Sequence, residues 1–449
     1  MDSRELFINT PPVRLFFTAA LPGAVSMVAS SLYTMIDGIL VGQVLGDTPF
    51  AALNLAFPFV IINFALADLI GVGSAVPISI ALGAKREREA NNIFTCACIL
   101  ILLAGILSGA VLYFAAPWLI GIVGAEGELL SLAVQYLRVY ALCSPLTTIV
   151  FAMDNYMRIC GLIRGSMLLN ILMSALSVAI ELTFLVVLDL GIWAAALATC
   201  LGMMICALIA LSVFVRGRRQ LKFVRPRFSW ATLRTIAACG SPSFLNNIAG
   251  RVTSILMNTL LLRFGGQDAV NVYGVLMYTE DLARPLMYGM CDSLQPAVGY
   301  NWGAGSYGRV RSIEGCCFTA CAAVSLVFSC SLLLFPEQIA SLFLGEGSSE
   351  LMDMARTAMR LFALAYLTRW LSMAAQNCMA AVGYAGRATA ISLGVMLVFP
   401  LLFIALFWPL GLTGLWLNFA GTSLMAGALS AVLMAAFLRE LKRRGERVS

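Results

Sequence analysis

Tyr33-Thr34-Met35-Ile36-Asp37-Gly38-Ile39-Leu40-Val41-Gly42-Gln43-Val44-Leu45-Gly46 closes an apolar run that begins near Leu15, and this run carries one acid, Asp37. The run is long enough to cross a bilayer, which takes about 20 predominantly apolar residues. A carboxylate inside such a helix is costly. It normally faces a bundle interior or a wet cavity, where it serves ions or substrates. At the outer end of the helix, the same carboxylate would instead reach headgroup water. The rest of the chain bears on which of these holds.

The pattern recurs outward from this helix. The chain has 449 residues, 61% of them hydrophobic and 12% charged, whereas a soluble domain is about a quarter charged. Twelve apolar cores of spanning length fit, near 15–40, 51–81, 92–115, 129–153, 166–188, 191–215, 233–262, 270–297, 313–335, 354–380, 388–408 and 411–437. The expected fold is therefore an all-α polytopic membrane protein, since a transmembrane β-barrel would show short alternating segments. Met1 to Pro12 lacks the basic, then apolar, then small-residue pattern of a cleaved signal, so the first helix is expected to stay as an anchor.

The loops set the orientation. Of the 29 Lys and Arg, 22 fall on one side, including Arg4, Arg14, Lys85, Arg158, Arg218, Arg309, Arg387 and Arg447; only Arg263 falls on the other. The positive-inside rule then places both termini in the cytoplasm, in a multi-pass protein of the cell's inner (cytoplasmic) membrane. The net charge of +6 is thereby assigned to topology rather than to a nucleic-acid partner. The longest polar stretch, Arg216 to Arg234, joins two halves. It reads as a solvated, orientation-setting linker in preference to an anionic-lipid contact.

The two halves resemble each other. Pro22 and Pro242, Gly46 and Gly266, Gly83-Ala84 and Gly303-Ala304, and Gly191 and Gly411 pair at a spacing of 220; Asn155, Met157 and Gly161 pair with Asn377, Met379 and Gly383 at 222. Six spans per half keep the repeats parallel, related by a pseudo-two-fold along the membrane normal. The expected domains are a six-helix lobe at 1–215, a basic linker at 216–234 and a second six-helix lobe at 235–449. Repeat pairs of this sort build transporters whose site is exposed alternately to either side.

Thirteen Cys lie almost entirely within apolar runs, no Cys-x-x-Cys has a matching second pair, and there is no His. Zinc or haem ligation is not expected, and Cys is read as a small apolar residue. Without His, any proton coupling must run through carboxylates. No nucleophile elbow or metal constellation points to an enzyme.

Few acids fall within or near the spans. Glu181 sits mid-span, and Ser177, four residues earlier, shares its helix face. Such a Glu suits the loading and release of a proton, or it pairs structurally with an Arg such as Arg138. In the second half, Glu280, Asp281 and Arg284 cluster, with Asp292 further along. They form either a cation, substrate or second proton site, or an internal pair that neutralises Arg284. Arg356 and Arg360, beside Asp353, read as interface residues. Arg369 lies deeper, with no partner evident from sequence.

Several of these pieces, in order, resemble the multidrug and toxic compound extrusion (MATE) family, bacterial branch. They are Pro22, Asp37 to Gly42, Leu45-Gly46, Gly71-Val72-Gly73 through Gly83, and Arg158-Ile159-Cys160-Gly161. Gly191 to Thr199, Gly265-Gly266 and Gln295 to Ala304 complete the set. The resemblance covers nearly the whole chain. It implies twelve helices in two six-helix lobes and an antiporter, expected to be monomeric, that exports cationic or amphipathic small molecules against a proton or sodium gradient. It matches the family's helix-one acid to Asp37, a helix-five acid, normally Asp, to Glu181, a polar residue four before it, normally Asn, to Ser177, and a helix-six Thr to Thr199. Asn155 lies where the family often has a polar residue, near the end of helix four. A sodium site at Asp37, Glu181 and Thr199 is weakened by the Ser at 177, because sodium needs several placed oxygens; protons are favoured as the coupling ion. Pro22 is the candidate hinge of helix one. The alternative within the same superfamily is a flippase for lipid-linked precursors or other anionic lipids, which would use Arg138, Arg251, Arg284 and Arg369.

Overall fold

A computed structural model describes residues 5–217, 219–344 and 348–448; Arg4 and Arg218, and the side chain of Arg447, lie outside it. The described chain is nearly all helix. Its spanning helices are α1 (Pro12–Leu45), α2 (Asp47–Gly83), α3 (Glu87–Ile122), α4 (Gly127–Ile159), α5 (Ile163–Val187) and α6 (Ile192–Val215). They continue with α7 (230–265) and α8 (267–303), which meet at a non-helical Gly266. The last four are α9 (Tyr307–Leu334), α10 (Ser349–Ala381), α11 (Ala385–Leu406) and α12 (Trp408–Arg444). Each expected apolar core falls within one of these helices to within a few residues. Nine of the twelve are apolar enough to cross a membrane by composition alone. The other three, α7, α8 and α10, carry more charge, including Arg251, Glu280, Arg284 and Arg369.

The internal repeat is visible in the turns. Gly46 (φ 94°) and Gly266 (φ 64°) both break the helix in the left-handed half of backbone space, as do Gly161 (φ 77°) and Gly383 (φ 80°). Only glycine reaches this region without a Cβ penalty, so the paired glycines stop the helices at matching points of the two halves.

The chain divides into two compact units, Met1–Asn9 with Val25–Phe244, and Thr10–Ala24 with Leu245–Ser449. The cuts after Ala24 and Phe244 are 220 residues apart, each two residues past a paired proline, Pro22 or Pro242. They differ in detail from lobes at 1–215 and 235–449. The start of α1 groups with the second unit, where Cβ atoms on Gly23 and Gly289 would collide with α8 and α1 respectively. The start of α7 groups with the first, where Gly73 lies against the Ile236 carbonyl and Gly240 against that of Leu69. Glycine at these crossings lets the helix backbones touch, as small residues do in membrane bundles.

In the first unit the core packs Leu53, Val60, Tyr136, Leu137 and Ile192 in one cluster. Phe114 and Trp118 on α3 stand outward, as a lipid-facing surface requires. The basic linker is held along one edge by α3. Asn91 accepts from the Lys222 amide (2.7 Å), Asn92 both accepts from the Arg227 amide (2.8 Å) and donates to its carbonyl (3.0 Å), and Thr95 accepts from the Val224 amide (3.1 Å). The side chains of Lys222, Arg225 and Arg227 remain exposed. One basic residue departs from the loop reading. Arg158 is buried in α4 and paired with Asp154, which also accepts from Ser166 and, at 2.9 Å, from Asn170. It locks α4 to α5 rather than marking a solvated loop, because Asp154 stands four residues away on the same face.

Candidate functional site

In the first unit Asp37 and Glu181 come together. Asp37 is 7% exposed and Glu181 0%, and the two carboxyls lie close enough to act on each other. No N–H or hydroxyl donor among the described residues reaches either Glu181 oxygen or Asp37 Oδ1. Arg138, the alternative partner for Glu181, instead lies over the Tyr113 ring at 5.1 Å and donates to the Tyr113 carbonyl at 3.3 Å.

Local backbone features flank both acids. α1 widens to π-type hydrogen bonding at Val41–Leu45, one turn past Asp37, and α5 does so at Thr183–Val187, immediately after Glu181. Such turns break the 3.6-residue periodicity and recur at functional sites. α5 also lies close to α6 here, because a Cβ on Gly202 would collide with Ser177 Oγ. Ser177 is 1% exposed, one turn before Glu181.

Thr199 is also present, hydrogen-bonded to the Tyr33 hydroxyl and to the Ala195 carbonyl at 3.4 Å. Tyr33 precedes Asp37 by four residues and so shares its face. Tyr136 and Tyr140 on α4, with ring centroids 5.2 Å apart, both lie within electrostatic range of Asp37. The three tyrosines are the site residues that sequence reading did not select. Tyr33 could have been found from its spacing to Asp37, whereas Tyr136 and Tyr140 arrive through tertiary packing of α4. Asn155 is buried, but it donates to the Phe151 carbonyl of its own helix at 3.2 Å. Its hydrogen bond does not extend to the carboxyl pair.

The second-half candidates separate into two environments. Glu280 forms a buried ion pair with Arg369, whose guanidinium also lies over the Tyr366 ring at 5.5 Å. This supplies the partner that sequence left unassigned. Asp281 and Arg284 pair at 3.5 Å with about half of each side chain exposed. Asp292 is buried. Arg356 bridges Glu337 (2.8 Å) and Asp353 (3.0 Å). Pro22 lies within continuous helix α1, beside the Gly23 contact with Ser293.

The MatE family model matches this chain twice, at residues 22–185 and 242–406, together nearly three quarters of its length. The two matches are offset by the spacing seen in the paired residues. A multidrug export protein, MepA, of Staphylococcus aureus (strain MSSA476) is 24% identical over 443 residues, covering 97% of this chain and 96% of that protein. Among solved structures, an outward-facing multidrug resistance MATE family transporter of the MOP superfamily superposes with a TM-score of 0.91 at 23% identity, covering 99% of both chains. A MOP superfamily transporter from Pyrococcus furiosus, described as having a binding pocket of reversed polarity, gives 0.91 at 23% over 98% of this chain and 99% of that one. The double match, the all-helical fold and the twelve helices agree, and the chain belongs to the MatE family of multi-pass membrane transporters.

Proposed function

We propose that this chain is a secondary active antiporter of the cytoplasmic membrane that exports cationic or amphipathic small molecules by alternating access, with protons as the coupling ion. The observation that carries this reading is the burial of the Asp37 and Glu181 carboxyls beside each other, with no hydrogen-bond donor among the described residues on either Glu181 oxygen or on Asp37 Oδ1. Two carboxyls buried beside each other are not both stable as anions, so one takes up a proton, and intramembrane acids are the usual elements of proton relays. A sodium ion would need several free oxygens. Here Thr199 is engaged by Tyr33, and Ser177 is tucked against Gly202. MepA's description as a multidrug exporter supports the substrate class.

In this mechanism the deprotonated pair attracts a substrate cation. Protons entering from outside neutralise the acids, the cation loses its counter-charge, and it leaves outward. Pro22 lets α1 bend, because it removes one helix hydrogen bond. Both termini face the cytoplasm by the positive-inside rule, and a monomer suffices for the cycle. A flippase for anionic lipid would need unneutralised Arg residues. Two of its four candidates are paired with acids, Arg369 with Glu280 and Arg284 with Asp281.

The test is transport of a fluorescent cationic dye in proteoliposomes under separately imposed pH and sodium gradients. The native chain should move dye on the pH gradient alone, and Asp37→Asn should not. Movement on sodium alone would replace protons by sodium as the coupling ion. Full export by Asp37→Asn would overturn the mechanism.

A further inference from the structure

We propose that Cys291, Cys317 and Cys321 form a three-thiol binding site for a trivalent metalloid ion, arsenic(III) or antimony(III), within the second unit. Cys291 lies on α8, and Cys317 and Cys321 lie one turn apart on α9. The three are 3%, 2% and 0% exposed, and their sulfurs all lie within 4.8 Å of one another. Cys291 Sγ stands 3.5 Å from Cys321 Sγ and 3.6 Å from Cys317 Sγ. At a metal–sulfur bond of about 2.3 Å and bond angles of about 95–120°, two sulfurs on one centre stand roughly 3.4–4.0 Å apart. The two observed separations across the helix pair already fall in that range. Sequence spacing did not single out these residues, because the set is split between two helices.

Charge selects the ion. The site lies roughly 15–20 Å along the helices from the turn at 304–306. Among the described residues, the charged group that acts on the three sulfurs besides one another is the buried Glu314, and no Arg or Lys joins it. Three thiolates around monovalent copper carry two net negative charges, and around zinc one. Both are costly where nothing compensates them. Three thiolates around a trivalent ion are neutral. The exchange also balances without redox chemistry. Uncharged arsenous acid, As(OH)3, reacts with three Cys–SH to give As(S–Cys)3 and three waters. Three As–O bonds are replaced by three As–S bonds, each thiol proton leaves in a water, and arsenic remains trivalent. Soft sulfur ligands suit such an ion.

The test uses the full-length protein, reduced and purified in detergent, then incubated with sodium arsenite and desalted. About one arsenic per chain should remain bound, and arsenic K-edge absorption on the native protein should show three sulfur neighbours and no oxygen. Cys291→Ala and Cys317→Ala should each reduce retention at least tenfold while eluting as monodisperse protein, and Cys96→Ala should retain arsenic as the native chain does. Absence of retained arsenic in the native protein, or a centre with two sulfurs, would overturn the site independently of any variant's folding. Unchanged retention in Cys291→Ala would also overturn it. Tighter retention of zinc or cuprous ion than of arsenic would overturn the charge argument.

Discussion

The two units bury carboxylates in opposite ways. In the first, Asp37 lies beside another acid, Glu181, and among the described residues no hydrogen-bond donor reaches either Glu181 oxygen or Asp37 Oδ1. In the second, Glu280 meets Arg369. An acid–base pair of this kind is electrically complete and needs nothing from solvent. An acid–acid contact is complete only when it holds a proton or faces a cation, so only the first can change its charge with the ions around it. The repeat sharpens this contrast. At the spacing of 220, the counterpart of Asp37 is Met257, which accepts a weak hydrogen bond from Asn418 at 3.7 Å. The two halves share the glycine turns at Gly46 and Gly266 and at Gly161 and Gly383, but not the acids, which makes the first unit the proposed seat of coupling.

The largest effect that would break this comparison concerns Glu181. Glu181→Gln keeps the shape of the side chain but cannot ionise. Gradient-driven dye export in proteoliposomes should fall to about a tenth of native or less, with the melting temperature in detergent near native. Export within twofold of native would mean that Asp37 acts alone.

In the second unit the loss should appear as stability. Glu280→Gln leaves Arg369 buried without its counter-charge, a change worth about 3–5 kcal/mol where a buried pair is broken. A drop of several degrees in melting temperature is expected, and Glu280→Gln combined with Arg369→Met should recover most of it. If Glu280→Gln instead folds normally and loses export, the second unit takes part in coupling and the contrast fails.

Much of this was legible in the sequence. Apolar runs and alternating loop charge gave the twelve helices because the bilayer imposes both length and sidedness. Asp37 and Glu181 stood out because an acid in a span is rare. Side chains contributed by a third helix were not legible. Tyr136 and Tyr140 look like ordinary interior aromatics of α4, and nothing in their spacing points to Asp37. Arg369 could not be matched to Glu280 across 89 residues, and Arg158 looked like a loop residue because α4 ends at Ile159. In each case the partner is set by tertiary packing rather than by helix periodicity.

A smaller effect tests how α5 is held against α6. Gly202→Ala would place a methyl group into Ser177 Oγ, with the Met173 carbonyl and the Ser177 amide both at 3.2 Å. Overpacking of this sort costs about 1–3 kcal/mol, and pushing α5 outward would also shift Glu181, one turn further on. Export should fall severalfold with a modest drop in melting temperature, while Gly202→Ala combined with Ser177→Gly should restore both. Native export by Gly202→Ala alone would show that the carboxyl contact tolerates movement of α5.

The smallest effect uses one turn in which the two halves differ. Gly305, after α8, has φ 73°, and its counterpart at the spacing of 220, after α2, is Lys85 at φ 60°. A residue with a Cβ in this region costs roughly 1–2 kcal/mol, and glycine returns about 0.5–1 kcal/mol of that through the greater freedom of the unfolded chain. Lys85→Gly should therefore stabilise the chain by about 0.5–1 kcal/mol, and Gly305→Lys should destabilise it by a similar amount. Both residues lie on the basic side of the membrane, so Lys85→Gly also removes one orientation-setting charge. Measuring melting temperature on correctly inserted protein separates the two contributions. A gain for Lys85→Gly matched by a loss for Gly305→Lys would mean that the two turns are energetically equivalent and that Lys85 is retained at a cost in backbone strain, for topology rather than for folding.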